Sequence, residues 1–335
     1  MAKKKSKKDE VIDCSTPQLF NIYKKQSTKK IYPPLNEIFQ DLIKEDKHLN
    51  ELYLQNMPSH DHIIDILNAI IKVKDVNGYQ GYKHLKTIRI WGSDLCDKGV
   101  KVIRDYIIEC RAANIKLLDI INCYITSLSC EYISEFLNPK EGLDIQYLTL
   151  DKNDIGDKGF YSIVNSLKTS ASIIYLSLGY CNITSEAIGY IKDLLEYDKS
   201  VLQTLILEGN KIETKGINTF LTILSNINNP EFILESISFS NCFIISDKDF
   251  VVMFKDMMNH KKSIGSIDFR LNHLSNDFMK MVVDTLEEQK KEKDMHIYEL
   301  FLPSNFDVDL YNKFFSLIAK RKKPKKKKAK KDKKK

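Results

Sequence analysis

Ile145-Gln-Tyr-Leu-Thr-Leu-Asp-Lys-Asn-Asp-Ile-Gly-Asp-Lys-Gly-Phe-Tyr-Ser-Ile-Val-Asn-Ser-Leu167 carries two hydrophobic periods in one stretch. Ile145, Leu148, Leu150, Asn153 and Ile155 fit the spacing L-x-x-L-x-L-x-x-N/C-x-L, whose first half reads as a short strand. After the turn at Gly156–Gly159, Phe160, Ile163, Val164 and Leu167 fall at i, i+3, i+4 and i+7, one apolar face of a helix. One strand and one helix cannot bury both apolar faces alone. The unit must therefore stack on copies of itself.

The copies are present. Their first ladder residues are Leu49, Leu85, Ile115, Ile145, Ile173, Leu202, Leu234, Ile264 and Ile297, at steps of 36, 30, 30, 28, 29, 32, 30 and 33. The segment Leu202-Gln-Thr-Leu-Ile-Leu-Glu-Gly-Asn-Lys-Ile212, followed by Gly216, Ile217, Phe220, Leu221 and Leu224, repeats both the ladder and the helix face. A period near 30 leaves room for a strand, two loops and about eleven residues of helix.

Over about residues 48–310 the core L-x-x-L-x-L-x-x-N/C-x-[IL]-x-x-x-G, clearest from Leu85, Ile145 and Leu202, resembles the ribonuclease-inhibitor-like subfamily of leucine-rich repeats. The resemblance implies an α/β leucine-rich repeat solenoid, a horseshoe of about nine repeats with parallel strands on the concave face and helices on the convex face. The chain departs from the pattern in places. Met57 and Ser93 stand where Asn or Cys belongs, and the first copy carries an insert containing Gly78 and Gly81. The last copy lacks the helix-start glycine and ends in Tyr311, Phe314, Phe315 and Ile318, which predicts a capping helix.

The flanks have another character. Ser15-Thr16-Pro17 reads as an N-cap followed by Pro in the first helical turn, and Pro34 opens a second helix carrying Leu35, Ile38, Phe39, Leu42 and Ile43 at helical spacing. The expected organisation is a disordered basic tail at 1–12, a helical cap at 13–47, the solenoid with its capping helix at 48–319, and a disordered polylysine tail at 320–335. Formal charge follows this division: +3 on 1–10, +12 on 320–335, and −8 on the body between, although the chain sums to +7. An acidic body with two basic tails is an arrangement for docking on polyanions. The residues expected to do so are Lys322, Lys323, Lys325, Lys326, Lys327, Lys328, Lys330 and Lys331.

No apolar run approaches the roughly 18 residues of a membrane span, and the N-terminus has neither a signal-peptide core nor a glycine after Met1 for myristoylation. The cytoplasm or cytoskeleton is the expected setting, the cilium axoneme within it, with the nucleus as the alternative and no membrane partner. Neighbouring parallel strands lie about 4.8 Å apart, so Cys123 and Cys181, two coils apart, are expected about 10 Å apart, beyond disulfide reach. Reduced, structural cysteines follow. His60-Asp61-His62 has metal-ligand chemistry but no further ligands near it in the sequence, and reads as a surface loop. Gly78-Tyr79-Gln80-Gly81 matches a G-x-x-G nucleic-acid motif without its flanking helices and reads as a turn. No phosphate loop, H-E-x-x-H or nucleophile elbow occurs. A non-enzymatic protein with no cofactor is expected.

Side chains alternate along a strand, so residues between ladder positions face the concavity. These are Tyr53, Arg89, Trp91, Asp119, Ile121, Tyr147, Asp151 and Tyr175, with Tyr180 near the row at a strand end and Glu208, Asp268 and Arg270 in later coils. The first five coils thus display Tyr53, Trp91, Ile121, Tyr147 and Tyr175, and the seventh shows Ser236, Ser238 and Ser240. Aromatics and Arg dominate binding hot spots, which points to capture of other proteins by the N-terminal half. Three readings follow. One is a cytoskeletal or axonemal scaffold whose tails meet tubulin or microtubule-associated proteins. Another is a nuclear protein using its tail on nucleic acid. The last is a GTPase regulator resembling Ran GTPase-activating proteins, although those carry an acidic C-terminal tail.

Overall fold

The computed structural model describes residues 15–27, 31–74, 78–111, 114–138, 144–168, 172–229, 232–259, 264–292, 297–319 and 321. Both expected tails lie outside these, apart from Arg321. Two helices, α1 (Thr16–Gln26) and α2 (Pro33–Lys44), precede nine strand–helix coils. The coils are β1 (Glu51–Gln55) with α3 (His60–Lys72), β2 (Thr87–Trp91) with α4 (Cys96–Glu109), and β3 (Leu117–Ile121) with α5 (Ser127–Leu137). Next come β4 (Tyr147–Thr149) with α6 (Gly156–Leu167), and β5 (Tyr175–Ser177) with a 3-10 helix (Ser185–Ile191) running into α7 (Lys192–Glu196). The last four are β6 (Thr204–Ile206) with α8 (Glu213–Asn226), β7 (Ser236–Ser238) with α9 (Lys248–Asn259), β8 (Ser266–Asp268) with α10 (Asn276–Glu292), and β9 (Glu299–Phe301) with α11 (Val308–Ile318).

The nine strands form one sheet in chain order, each parallel to the next. Leu52, Ile88, Leu118, Leu148, Leu176, Leu205, Ile237, Ile267 and Leu300 are register partners in succession, and all are buried. Strands repeat at about 4.8 Å but packed helices need about 8–10 Å. Stacking coils of both kinds bends the array with the sheet inside, which makes an α/β leucine-rich repeat solenoid.

Eight of the nine coils turn from strand to helix through a residue with left-handed backbone. Asn56, Gly92, Asn122, Lys152, Tyr180, Gly209, Asn241 and Leu271 hold φ between 48° and 69°, in eight consecutive coils. The next residue is the Asn/Cys ladder position, and the two types do different work. Asn210 accepts at Oδ1 from the Cys181 and Ile183 amides (2.9 and 3.0 Å) and donates from Nδ2 to the carbonyls of Leu178 and Leu207 (both 2.8 Å). Asn153 and Asn272 repeat this arrangement on Cys123 and Cys242. The cysteines donate weakly to carbonyls, as Cys181 Sγ does to Leu150 O at 3.3 Å. An Asn coil and a Cys coil therefore form a pair, with the Asn reaching back to close the turn before it. Ser93 takes the part in coil two: its hydroxyl accepts from the Met57 amide at 3.0 Å. Asn305, at the same place in coil nine, is instead exposed. The six described cysteines are free thiols.

Helices pack closely where their first turn is small. A Cβ at Gly159 would sit 2.9 Å from Cys130 Sγ and 3.3 Å from Ser127 Cα of the preceding helix. Coil five, among the two shortest, replaces most of its convex helix with the 3-10 turn, which rises about 2.0 Å per residue instead of 1.5 and spans the gap with fewer residues.

At the N-terminal end, Ser15 Oγ caps α1 by accepting from the Gln18 amide, and Thr16 bonds Lys47 O and the Tyr82 hydroxyl, docking the cap on the insert of coil one. Of the apolar residues expected to seal α2, Leu35 and Phe39 are buried, but Ile38 and Ile43 are exposed. His60-Asp61-His62 is not a surface loop. It opens α3, where His60 Nδ1 meets Asp94 O at 2.8 Å and the His62 ring is buried beside Tyr32. At the other end Arg321, expected in the tail, is buried in the terminal cap. Its guanidinium donates to Gln289 Oε1 and to the carbonyl of Ile297, so the cap extends past Ala319.

Candidate functional site

The open face of the sheet holds three register rows. The first runs Glu51, Thr87, Leu117, Tyr147, Tyr175, and the second Tyr53, Arg89, Asp119, Thr149, Ser177. The third runs Gln55, Trp91, Ile121 and continues past the later strands through Asp151 and Glu208. The aromatic residues expected in one line therefore belong to two pairs on different rows. Tyr53 meets Trp91 edge to face at 5.2 Å, and Tyr147 faces Tyr175 at 6.4 Å. Tyr53 and Tyr147 are 40% and 41% exposed, so each pair offers a tyrosine to solvent over a more covered partner. Ile121 is half-buried beside Trp91.

Between the pairs runs an ion-pair chain. Arg89 reaches Glu51 at 2.9 Å and Asp119 at 3.1 Å. Asp119 was expected on display, but Arg89 cover leaves it only 9% exposed. Asp151 is also committed: its Oδ1 accepts from the Ser177 hydroxyl and the Gly179 amide, both at 2.7 Å. Tyr180 lies on the rim, 40% exposed, with its ring over Gly209 of the next coil, where a Cβ would approach it to 2.3 Å. Ser238 and Ser240 face the same way but are buried. In the last coils Arg270 pairs with Asp268 at 2.6 Å and lies over the Phe301 ring.

The sequence reading missed Glu51, which completes the Arg89 chain. It also missed a rim of exposed apolar side chains, Tyr124, Phe243, Ile245 and Leu271. Three of these four stand on left-handed backbone, where Asn or Gly costs least. The available signal was a large apolar residue directly beside the Asn/Cys ladder position.

No protein-family model matches the chain. Among curated proteins, a Cep78 homolog of Drosophila melanogaster is 24% identical over 220 residues, covering 58% of this chain and 25% of that protein. NACHT, LRR and PYD domains-containing protein 9 of Bos taurus is 26% identical over 164 residues, covering 49% of this chain and 16% of that protein. A solved structure of the yeast Rad7–Elc1 complex overlaps 75% of this chain and 56% of its own at 14% identity, with a TM-score of 0.47. The repeat is of the leucine-rich type. The leucine-rich chain spans a quarter or less of the length of these two curated relatives.

Negative charge gathers mid-face in this leucine-rich array. Burial pushes the Asp119 and Asp151 carboxyls up against the opposing pull of their hydrogen-bond partners. Burial, then Asp151 and Asp268, push Glu208 up. An acid whose pKa is higher folded than unfolded supports the fold most fully below the unfolded value, and that contribution is lost as pH rises through the folded value. Glu208→Gln is therefore expected to leave Tm unchanged near pH 3.5 and to raise it at pH 7. A fall at pH 7 in differential scanning calorimetry would mean that an attractive partner holds the carboxylate.

Proposed function

We propose that this chain is a non-enzymatic scaffold that captures another protein on the open sheet face of its N-terminal half. The observation that carries the reading is the pair of aromatic couples, Tyr53 with Trp91 and Tyr147 with Tyr175, flanking the Glu51–Arg89–Asp119 chain on a face that no layer of described residues covers. Aromatic anchors set around a fixed Arg are the composition of binding hot spots. Ile121, Asp151 and Tyr180 complete the contact surface at its centre and rim. The convex α-helices and the alternation of Asn and Cys coils support the ribonuclease-inhibitor-like subtype.

Within this class we favour a cytoskeletal or ciliary assembly component. The partial likeness to a Cep78 homolog supports that setting. The lysines of 322–335 supply a charge that fits acidic tubulin tails. Contacts of this kind raise association rate and are screened by salt over roughly 8–10 Å. Deleting 322–335 is expected to weaken co-sedimentation with microtubules several-fold at low salt and to flatten its salt dependence. Identical curves for both proteins would remove tubulin docking from the account. Tighter binding to RNA than to microtubules would favour the nuclear reading.

A further inference from the structure

Charge on the two faces of the array is balanced differently. Along the convex helices of coils two to six, eight and nine, acids are matched by cations from neighbouring coils: Arg104 with Glu135, Lys158 with Glu131, Lys215 with Glu186, Lys313 with Glu287. On the concave face, no described Lys or Arg pairs with Asp151 or Glu208. Gly179 lies between them, buried beneath their side chains: a Cβ there would stand 3.5 Å from Asp151 Oδ1 and 3.1 Å from Glu208 Cγ. The Tyr147–Tyr175 couple borders this trough on one side and Tyr180 on another. Lys152 and Arg270 act on these carboxylates only from a distance. Carboxylates that no cation contacts, beside exposed aromatic rings, suit an ammonium group, which gains ion pairing and a ring face together.

The chain itself contains a matching segment. Residues 322–335 hold eleven Lys and one Asp. They follow Arg321, which donates to Ile297 O at the start of the last coil and lines a cavity of about 330 Å³ shared with the concave-face residues Arg270, Glu299 and Phe301. From β9 the trough lies three to five strands away, roughly 14–24 Å at the usual strand spacing. Fourteen residues span at most about 46–50 Å when extended. A tether of this length holds its segment at an effective concentration near the millimolar range, which an external peptide must exceed.

The geometry points to the lysine segment 322–335 as an intramolecular occupant of the Asp151–Gly179–Glu208 trough, a built-in competitor for the concave face. A polyanion that takes up the segment releases the face, so docking of the tail and capture by the sheet become linked. This inference needs only the acidic trough. The test below involves no partner protein, so its failure would leave the aromatic-couple reading standing.

The test couples lysine to carboxylate in the full chain with a zero-length carbodiimide at low salt, followed by peptide mass mapping. The expected products are intramolecular links from Lys322–Lys335 to Glu208 and Asp151. They should disappear near 1 M salt and fall at least fivefold in Glu208→Lys, whose circular dichroism spectrum should match wild type. Links confined to Asp284 and Glu288 on the convex side, links only between two copies, or an unchanged yield in Glu208→Lys would each overturn the proposal. A second arm titrates a labelled 322–335 peptide onto the wild-type chain and onto a full chain whose tail lysines are all Gln. At least tenfold tighter binding to the Gln-tailed chain is expected, and equal affinities would contradict an intramolecular occupant.

Discussion

Asn210→Ala is expected to destabilise the array by about 3–5 kcal/mol, while Asn305→Ala stays within about 0.5 kcal/mol of wild type. Both occupy the same place in the repeat. Asn210 is fully buried and closes the turn of the coil before it at both ends of its amide. Truncation strands the amides of Cys181 and Ile183 and the carbonyls of Leu178 and Leu207 away from water, each at about 1–3 kcal/mol before relaxation and water entry offset part of the loss. Asn305 is exposed, so water replaces any partner its amide loses. Because each coil touches only its neighbours, the damage is expected to split urea unfolding of Asn210→Ala into two steps. A single transition at the wild-type midpoint would mean that the Asn–Cys pairing is not what holds successive turns together.

That pairing also marks how far the sequence could be read. The ladder residues Leu49 through Ile297 announced nine coils because burial of one face of each strand leaves a fixed apolar spacing, and every one of them is buried. The Asn/Cys position was legible as a fixed place in the repeat. Its division of labour was not, because the bonds run to the neighbouring coil and depend on stacking rather than on spacing. The short 3-10 passage at Ser185–Ile191 left its trace only in a step of 29 between ladder residues.

The candidate face was legible residue by residue but not as a pattern. Alternation put Tyr53, Trp91, Tyr147 and Tyr175 on the right side of the sheet, yet register decides which of them meet, and register is a relation between coils. Asp119 and Asp151 looked like free charge in a linear reading. Arg89, Ser177 and Gly179, supplied by adjacent strands, account for both. Arg321 looked like one more basic tail residue and proved to be a buried clamp, since nothing in a lysine-rich run shows which cation the cap will take.

The central claim is that the open sheet face of coils one to five captures a protein partner, and the double change Tyr53→Ala with Tyr147→Ala tests it most directly. Each tyrosine is the exposed member of its couple and stands outside the buried ladder, so circular dichroism and melting should stay close to wild type. Hot-spot aromatics contribute about 2 kcal/mol or more each, roughly 30-fold in affinity. Proteins captured from native lysate by the full wild-type chain are quantified against those captured by the double variant, with the exposed convex pair Tyr161→Ala and Tyr190→Ala as the matched control. The expected result is loss of the principal partner from the concave variant, at least about 30-fold, with the convex control unchanged. Partner recovery at wild-type levels in the concave variant would contradict the claim and move binding to the helices or the tails.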